Sequence, residues 1–142
     1  MVSLDELKKD CFVFRTACQK LCDCGGLPNF PPFPNGWCGT TCRTFGAYLC
    51  EKYHDEDFYY ICGWRNNTSH AWIKVNDIII DITADQFYDC VDPIIVSFQN
   101  ESSFHKTFRI YAPDVRKLFP EDKDYPEENK IYLKALEVLE NK

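Results

Sequence analysis

Cys38, His70 and Asp81 occur in that order in a chain of 142 residues, and together they are the types that make a thiol nucleophile with an oriented imidazole. The thiolate attacks, the histidine carries the proton, and the carboxylate fixes the ring. Cys38 directly follows Asn35-Gly36-Trp37, at the expected start of a helix, where the helix dipole and free amide protons favour a thiolate. Those amides can also form half of an oxyanion hole once a tetrahedral intermediate develops. Cys42 is the rival nucleophile, but it lies one turn deeper on the same stripe, where burial favours the neutral thiol.

Strand register predicts the pairing of His70 with Asp81. If Asn76-Asp77 is a two-residue hairpin turn, Val75 faces Ile78, Trp72 lies opposite Asp81, and His70 lies opposite Thr83. One face then carries His70, Trp72, Lys74, Ile79, Asp81 and Thr83. The other carries Ala71, Ile73, Val75, Ile78, Ile80 and Ile82, all apolar, and should pack a core. On the first face His70 and Asp81 are diagonal neighbours, about 7 to 8 Å apart at the backbone, which a side-chain hydrogen bond can span.

The surrounding elements follow from caps, stripes and turns. Ser3-Leu4-Asp5-Glu6 has the capping-box form, and Leu4, Leu7, Cys11, Phe14, Cys18 and Leu21 continue at helical spacing until Gly25-Gly26. A proline-rich connector leads to the second helix, whose stripe is Cys38, Cys42, Phe45 and Leu49 and which ends by about Tyr53. Phe58–Trp64, His70–Val75 and Ile78–Thr83 read as an antiparallel meander, with Pro93–Phe98 and Lys106–Tyr111 as fourth and fifth strands. Good helix formers fill Pro126–Glu140. The expected fold is one α+β domain over residues 1–142, with helices packed on an antiparallel sheet.

Composition excludes several functions. With 45% hydrophobic and 15% aromatic residues the chain is too apolar for disorder. No apolar run approaches the ~20 residues of a membrane helix, and the start MVSLDELKKD is too charged for a secretory segment, so a cytoplasmic location is expected. The net charge is −6, and Asp77, Asp81, Asp85, Asp89, Asp92 and Glu101 sum to it without an intervening base. Nothing supplies the basic stripe that nucleic acid requires. Nine cysteines, an odd number, fit free thiols better than a disulfide framework, and the sequons at Asn66, Asn67 and Asn100 then carry no information. Cys18, Cys22 and Cys24, with Cys11 or Cys42, could hold zinc, but paired C-x-x-C knuckles are missing and Cys11 and Cys18 fall on the apolar stripe. Cys38, His70 and Asp81 could also bind a metal as a set, although this order suits covalent chemistry better. His54, in an acidic stretch, reads as solvated.

The string Gly36-Trp37-Cys38-Gly39-Thr40-Thr41, then Ser69-His70-Ala71-Trp72, then Ile80-Asp81-Ile82-Thr83, resembles the papain-like and transglutaminase-like cysteine hydrolase superfamily. The His-x-Trp and Asp-x-Thr elements are most similar to the transglutaminase-like branch. FPNGWCG and HAWIKVNDIIIDITADQF also resemble small bacterial proteins of the superfamily, and the similarity spans roughly Pro34 to Phe108, about half the chain. The resemblance implies a papain-like core, Cys38 as nucleophile, His70 as general base and acid, Asp81 as its orienting group, and Trp72 as a shield against water. The His-to-Asp interval is shorter than in typical transglutaminases, and no obvious glutamine supplies the side-chain oxyanion donor of papain-like enzymes. Asn35 could substitute, with Trp37 and Gly39 beside it around the oxyanion pocket. His105 either lines the substrate pocket or is an ordinary loop or edge-strand histidine.

The expected activity is a thiol hydrolase or acyltransferase acting on an amide, isopeptide or ester bond of a peptide, protein or small acyl substrate, with no metal or organic cofactor. A protein glutamine deamidase or transglutaminase would use the same residues. An interaction module that keeps the fold without the chemistry is the non-enzymatic alternative.

Overall fold

The computed structural model describes residues 2–141. Helix α1 (Leu4–Asp23) starts where the Ser3 hydroxyl accepts the Glu6 amide at 3.1 Å, and its stripe of Leu7, Cys11, Phe14, Cys18 and Leu21 is buried. Helix α2 (Cys38–Lys52) buries Cys42, Phe45 and Leu49. Strands β1 (Phe58–Arg65), β2 (Thr68–Val75) and β3 (Ile78–Asp81) form the meander, joined at turns where Asn66, Asn67 and Asn76 take positive φ of 50°, 62° and 54°. Asparagine tolerates that left-handed region better than bulkier residues do. Strand β4 (Ile95–Phe98), the single helical turn α3 (Ser103–Lys106), strand β5 (Arg109–Lys117) and helix α4 (Pro126–Glu140) complete the chain.

The five strands run in the order β4-β3-β2-β1-β5, and each neighbouring pair is antiparallel. This is the expected α+β class. Helices α1 and α2 pack on the apolar side of the sheet, where Phe14 stacks on Phe45 at 4.7 Å, and α4 packs on both helices, adding Ile131 and Ala135 to the same core. Burying each such Phe or Ile favours folding by about 1.5–3 kcal/mol. The opposite face carries a smaller cluster of Ile61, Trp72, Ile79 and Phe108, with Phe87 and Phe104 packed against it. Among the described residues no helix is long and apolar enough to cross a membrane.

β1 and β2 each extend further into their shared turn than expected, to Arg65 rather than Trp64 and from Thr68 rather than His70, and the other three strands differ as well. β3 stops at Asp81 rather than Thr83, because the Thr83 amide turns back to donate to Asp81 Oδ1 at 2.9 Å and the chain enters a 3-10 turn over Ala84–Gln86. β4 begins at Ile95 rather than Pro93, whose carbonyl is taken instead by Arg15 at 3.1 Å. The fifth strand was expected over Lys106–Tyr111, but Ser103–Lys106 is helical and the strand runs to Lys117. Pro113 is accepted there because β5 is an edge strand, and its ladder with β1 jumps from Gly63↔Ile110 to Ile61↔Val115 around a bulge.

Gly63, beside His70 in the β1–β2 ladder, is where the outer cluster presses closest on the backbone. A Cβ there would lie 2.7 Å from both Phe108 Cβ and Trp72 Cη2. Gly63→Ala is therefore expected to lower stability by roughly 1–3 kcal/mol through overpacking. Urea denaturation should show a reduced midpoint at unchanged slope, and a midpoint equal to the wild type would refute this close packing.

Candidate functional site

The site begins with where α2 starts. Trp37, which is 0% exposed, donates its indole N–H to the Pro31 carbonyl at 2.8 Å and is held edge-on by Phe30 and Phe33, each with ring centroids 5.1 Å away. It is a core anchor for the loop rather than the pocket wall expected. Cys38 follows as the first helical residue, half-buried, and no side chain caps the amides at this helix end. Gly39, next in the first turn, leaves room beside Tyr60 Oη and Arg43 Nη1, each 3.4 Å from where a Cβ would be.

The other half of the site is the open edge of β2. β3 pairs with β2 at Val75↔Ile78, Lys74↔Ile79 and Ile73↔Ile80, the expected register, and then turns away. Beyond that point the edge of β2 is uncovered, so the His70 ring and the Ala71 backbone can act on the Cys38 sulfur. His70 Nε2 lies 2.6 Å from Asp81 Oδ2, and both side chains are buried. This is the diagonal contact that the register predicts.

Asp81 holds more than His70. His105 Nε2 approaches the same Oδ2 at 2.7 Å, and Ser102 Oγ lies 2.5 Å from His105 Nδ1. An ionised carboxylate only accepts, so each ring carries its proton on Nε2, and the Ser102 hydroxyl donates to the remaining nitrogen of His105. The remaining nitrogen of His70, Nδ1, meets a side-chain amide instead. It lies 3.2 Å from the Gln86 amide nitrogen, which also donates to the Thr83 carbonyl at 3.1 Å, while Gln86 Oε1 accepts the Gly36 amide at 3.4 Å. Those two backbone partners fix which way the Gln86 amide points.

The electrostatics follow from these contacts. Burial pushes the Cys38 thiol up, but the hydrogen bond and charge of His70 and the Ala71 backbone outweigh it, so its pKa falls below the ordinary thiol value. Burial pulls His70 down, yet the Asp81 charge and hydrogen bond, with a smaller contribution from Cys38, raise it to about 9. Burial alone would raise Asp81, but the charge of His70 and the hydrogen bonds from His105 and His70 hold it well below the usual carboxylate range. Cys42 is buried and pushed well up, as expected of the rival thiol.

The remaining expected site residues fall in different places. Trp72 is buried against both imidazoles, with ring centroids 5.8 Å from His70 and 4.7 Å from His105. His105 sits behind Asp81, and on the outer face of the sheet it borders a cavity of about 580 Å³ together with Trp72, Ile79 and Phe108. Asn35 is exposed in the turn before α2, with its backbone amide on the Pro32 carbonyl, and the side-chain amide that reaches His70 belongs to Gln86. His54 is exposed beside Asp55. Gln86 and Ser102 were not legible as site residues, because neither lies on a periodic stripe. The only cue to Gln86 was its place five residues past the strand-ending aspartate.

His70, Asp81 and His105 offer donor atoms within 4.8 Å of one another, close enough to consider a metal. Both Nε2 atoms, however, approach a single carboxylate oxygen at hydrogen-bonding distance, and an ion about 2.0–2.2 Å from all three would have to displace both ring protons. The geometry fits hydrogen bonds. Among the described residues no other such group forms, and Cys22 and Cys24 each engage backbone partners of their own. Comparisons with protein-family models, with curated proteins and with solved structures find no match.

Removing the carboxylate charge tests this network. Asp81→Asn should cost about 3–5 kcal/mol, because it leaves buried ring N–H groups facing a weaker acceptor. In a Cys38→Ala background, which removes the thiol's opposing titration and its own share of the shift, Asp81 still raises His70, so the His70 contribution is full below about pH 6.5 and is lost as pH rises through the raised pKa. Urea unfolding of the Cys38→Ala chain, with and without Asp81→Asn, should therefore show the stability gap between the two narrowing as pH rises above about 6.5. A gap that stays constant would contradict a raised His70.

Proposed function

We propose that the chain is a thiol hydrolase or acyltransferase of papain-like or transglutaminase-like architecture, acting on an amide, isopeptide or ester bond. The observation that carries this reading is one imidazole, gripped at Nε2 by a buried carboxylate, whose charge and hydrogen bonding also act on a cysteine at a helix start. Cys38 gives its thiol proton to His70, and the sulfur attacks the substrate carbonyl carbon, forming a C–S bond as the carbonyl electron pair moves to oxygen. Collapse expels the amine or alcohol, which takes the Nδ1 proton from His70. Water, or an acceptor amine, then gives a proton to His70 Nδ1 and attacks the thioester, releasing the acyl product and the Cys38 thiolate.

The uncapped amides at the start of α2 supply donors for the oxyanion, while the Gln86 amide, spent on the Thr83 carbonyl and His70 Nδ1, orients the imidazole. Asp81 keeps the ring in the Nε2–H tautomer, so Nδ1 is the nitrogen that exchanges the proton. Trp72, packed over both imidazoles, keeps bulk water from that hydrogen bond.

Labelling with iodoacetamide at about pH 6, followed by peptide mass mapping, should modify Cys38 ahead of the other eight cysteines. Cys38→Ala should abolish the fast phase. Incubation with libraries of peptide amides and esters should yield an acyl adduct on Cys38, and Gln86→Leu should slow its formation by releasing the His70 ring. Slow, equal labelling of several thiols would overturn the proposal in favour of a binding module.

A further inference from the structure

One aspartate oxygen with two histidines on it is more than a structural carboxylate at a strand end requires. Asp81 Oδ1 already takes the Thr83 amide at 2.9 Å, and His70 already occupies Oδ2 at 2.6 Å. His105 arrives from a separate segment, is 3% exposed, and places its Nε2 2.7 Å from that same Oδ2. Its far nitrogen is held by Ser102, itself only 6% exposed. The two rings lie within 25° of parallel with centroids 6.3 Å apart, and Trp72 packs against both.

We infer that His105 is a positioning residue that shares the charged Asp81 oxygen with His70, and so limits how firmly Asp81 holds a proton on the His70 ring, while Ser102 holds His105 in the sharing tautomer. The inference rests on the proposed Cys38–His70 chemistry and adds a residue to it. Two N–H donors on one oxygen draw on the same electron density, so each weakens the other's hold. A carboxylate left to His70 alone would favour the imidazolium more strongly. His70 is biased toward imidazolium even with the sharing, so a still firmer hold would hinder the thioester-resolving step, in which the ring must take a proton from water or an amine.

The neighbourhood leaves few other groups to produce this effect. Cys11 of α1, Cys42 of α2 and Cys90 of the loop before β4 all feel the Asp81 charge, and burial pushes each of them up, so they stay protonated at neutral pH. Arg65 of β1 lies over the rings of Phe87, Phe104 and Phe108, but its charge is matched by Asp89, paired through both carboxylate oxygens at 2.6 and 2.7 Å. Lys106 of α3 is turned to the Asn100 carbonyl. Cys38 is the other ionisable group that raises His70, and Cys38→Ala removes it.

The test is the pH at which the His70 ring loses its proton, followed by NMR of the full chain with isotope-labelled histidine in the Cys38→Ala background. Adding His105→Leu should move that midpoint upward by about half a pH unit or more, a roughly threefold gain in proton affinity. His105→Gln, which keeps an N–H directed at Oδ2, should return it to the starting value. Should the leucine variant not fold, Ser102→Ala carries the same test, with a smaller shift of the same sign. A midpoint that is unchanged or lower in His105→Leu, or one that His105→Gln does not restore, overturns the sharing. Slow alkylation of wild-type Cys38 at about pH 6 would instead overturn the parent reading, and the histidine titration in the Cys38→Ala chain does not depend on it.

Discussion

Asp81 is a charge kept almost entirely out of water, and the arrangement around it follows from the need to satisfy that charge. An unpaired buried carboxylate would be destabilising by several kcal/mol, or would simply take up a proton. Here Oδ2 accepts two imidazole N–H groups, and Oδ1 accepts the Thr83 amide with the Thr83 hydroxyl at 3.5 Å. Meeting those demands ends β3 at Asp81, folds Thr83 back, and docks α3 so that His105 can reach the second side of the oxygen. The outer apolar cluster of Trp72, Phe108, Phe87 and Phe104 then encloses the polar group and lowers the local dielectric, which strengthens every one of those bonds.

The same turn at Thr83 ends the β2–β3 ladder short of His70 and Ala71. Had β3 continued alongside β2 to Thr83, as the alternating pattern suggested, its backbone would cover the edge that Ala71 and His70 use to reach Cys38. Trp37 sets the other side of the gap. Its indole bond to Pro31 and its packing between Phe30 and Phe33 decide where the connector stops and α2 begins, and hence where the Cys38 sulfur lies. Gln86 links the two halves, since its amide touches His70 on one side and the Gly36 backbone just before α2 on the other.

The features legible from sequence were those with a period or a turn chemistry of their own. The α1 stripe, the α2 start, the Asn66-Asn67 and Asn76 turns, and the β2–β3 register all have local causes, and the register alone located the His70–Asp81 contact. The region after β4 had no such cause. Phe104, Phe108 and Ile110 could belong to a strand or a helical turn, and the choice was made by tertiary demand: Ser102 and His105 are drawn together three residues apart, which a helical turn permits and an extended strand does not. Gln86 escaped for a similar reason. It sits on a 3-10 turn whose direction is imposed by the bond between Asp81 and Thr83, and that bond forms only because two histidines from elsewhere in the chain hold the carboxylate in place.

Nine thiols in a small domain raise the question of why one should differ, and the answer lies in their surroundings rather than in the residue type. Cys11, Cys18 and Cys42 are packed against apolar side chains, and desolvation drives each of them up. Cys50 is pushed to about 11, and Cys62 and Cys90 move the same way by burial. Cys38 is also substantially removed from water, so burial alone would make it as inert as the rest. What reverses its direction is a histidine that Asp81 has already biased toward its charged form, together with a backbone amide released by the departure of β3. The reactivity assigned to Cys38 is therefore inherited from a carboxylate that acts on it only through the imidazole between them. That inheritance explains why Cys42, only one turn further along the same helix, carries none of it.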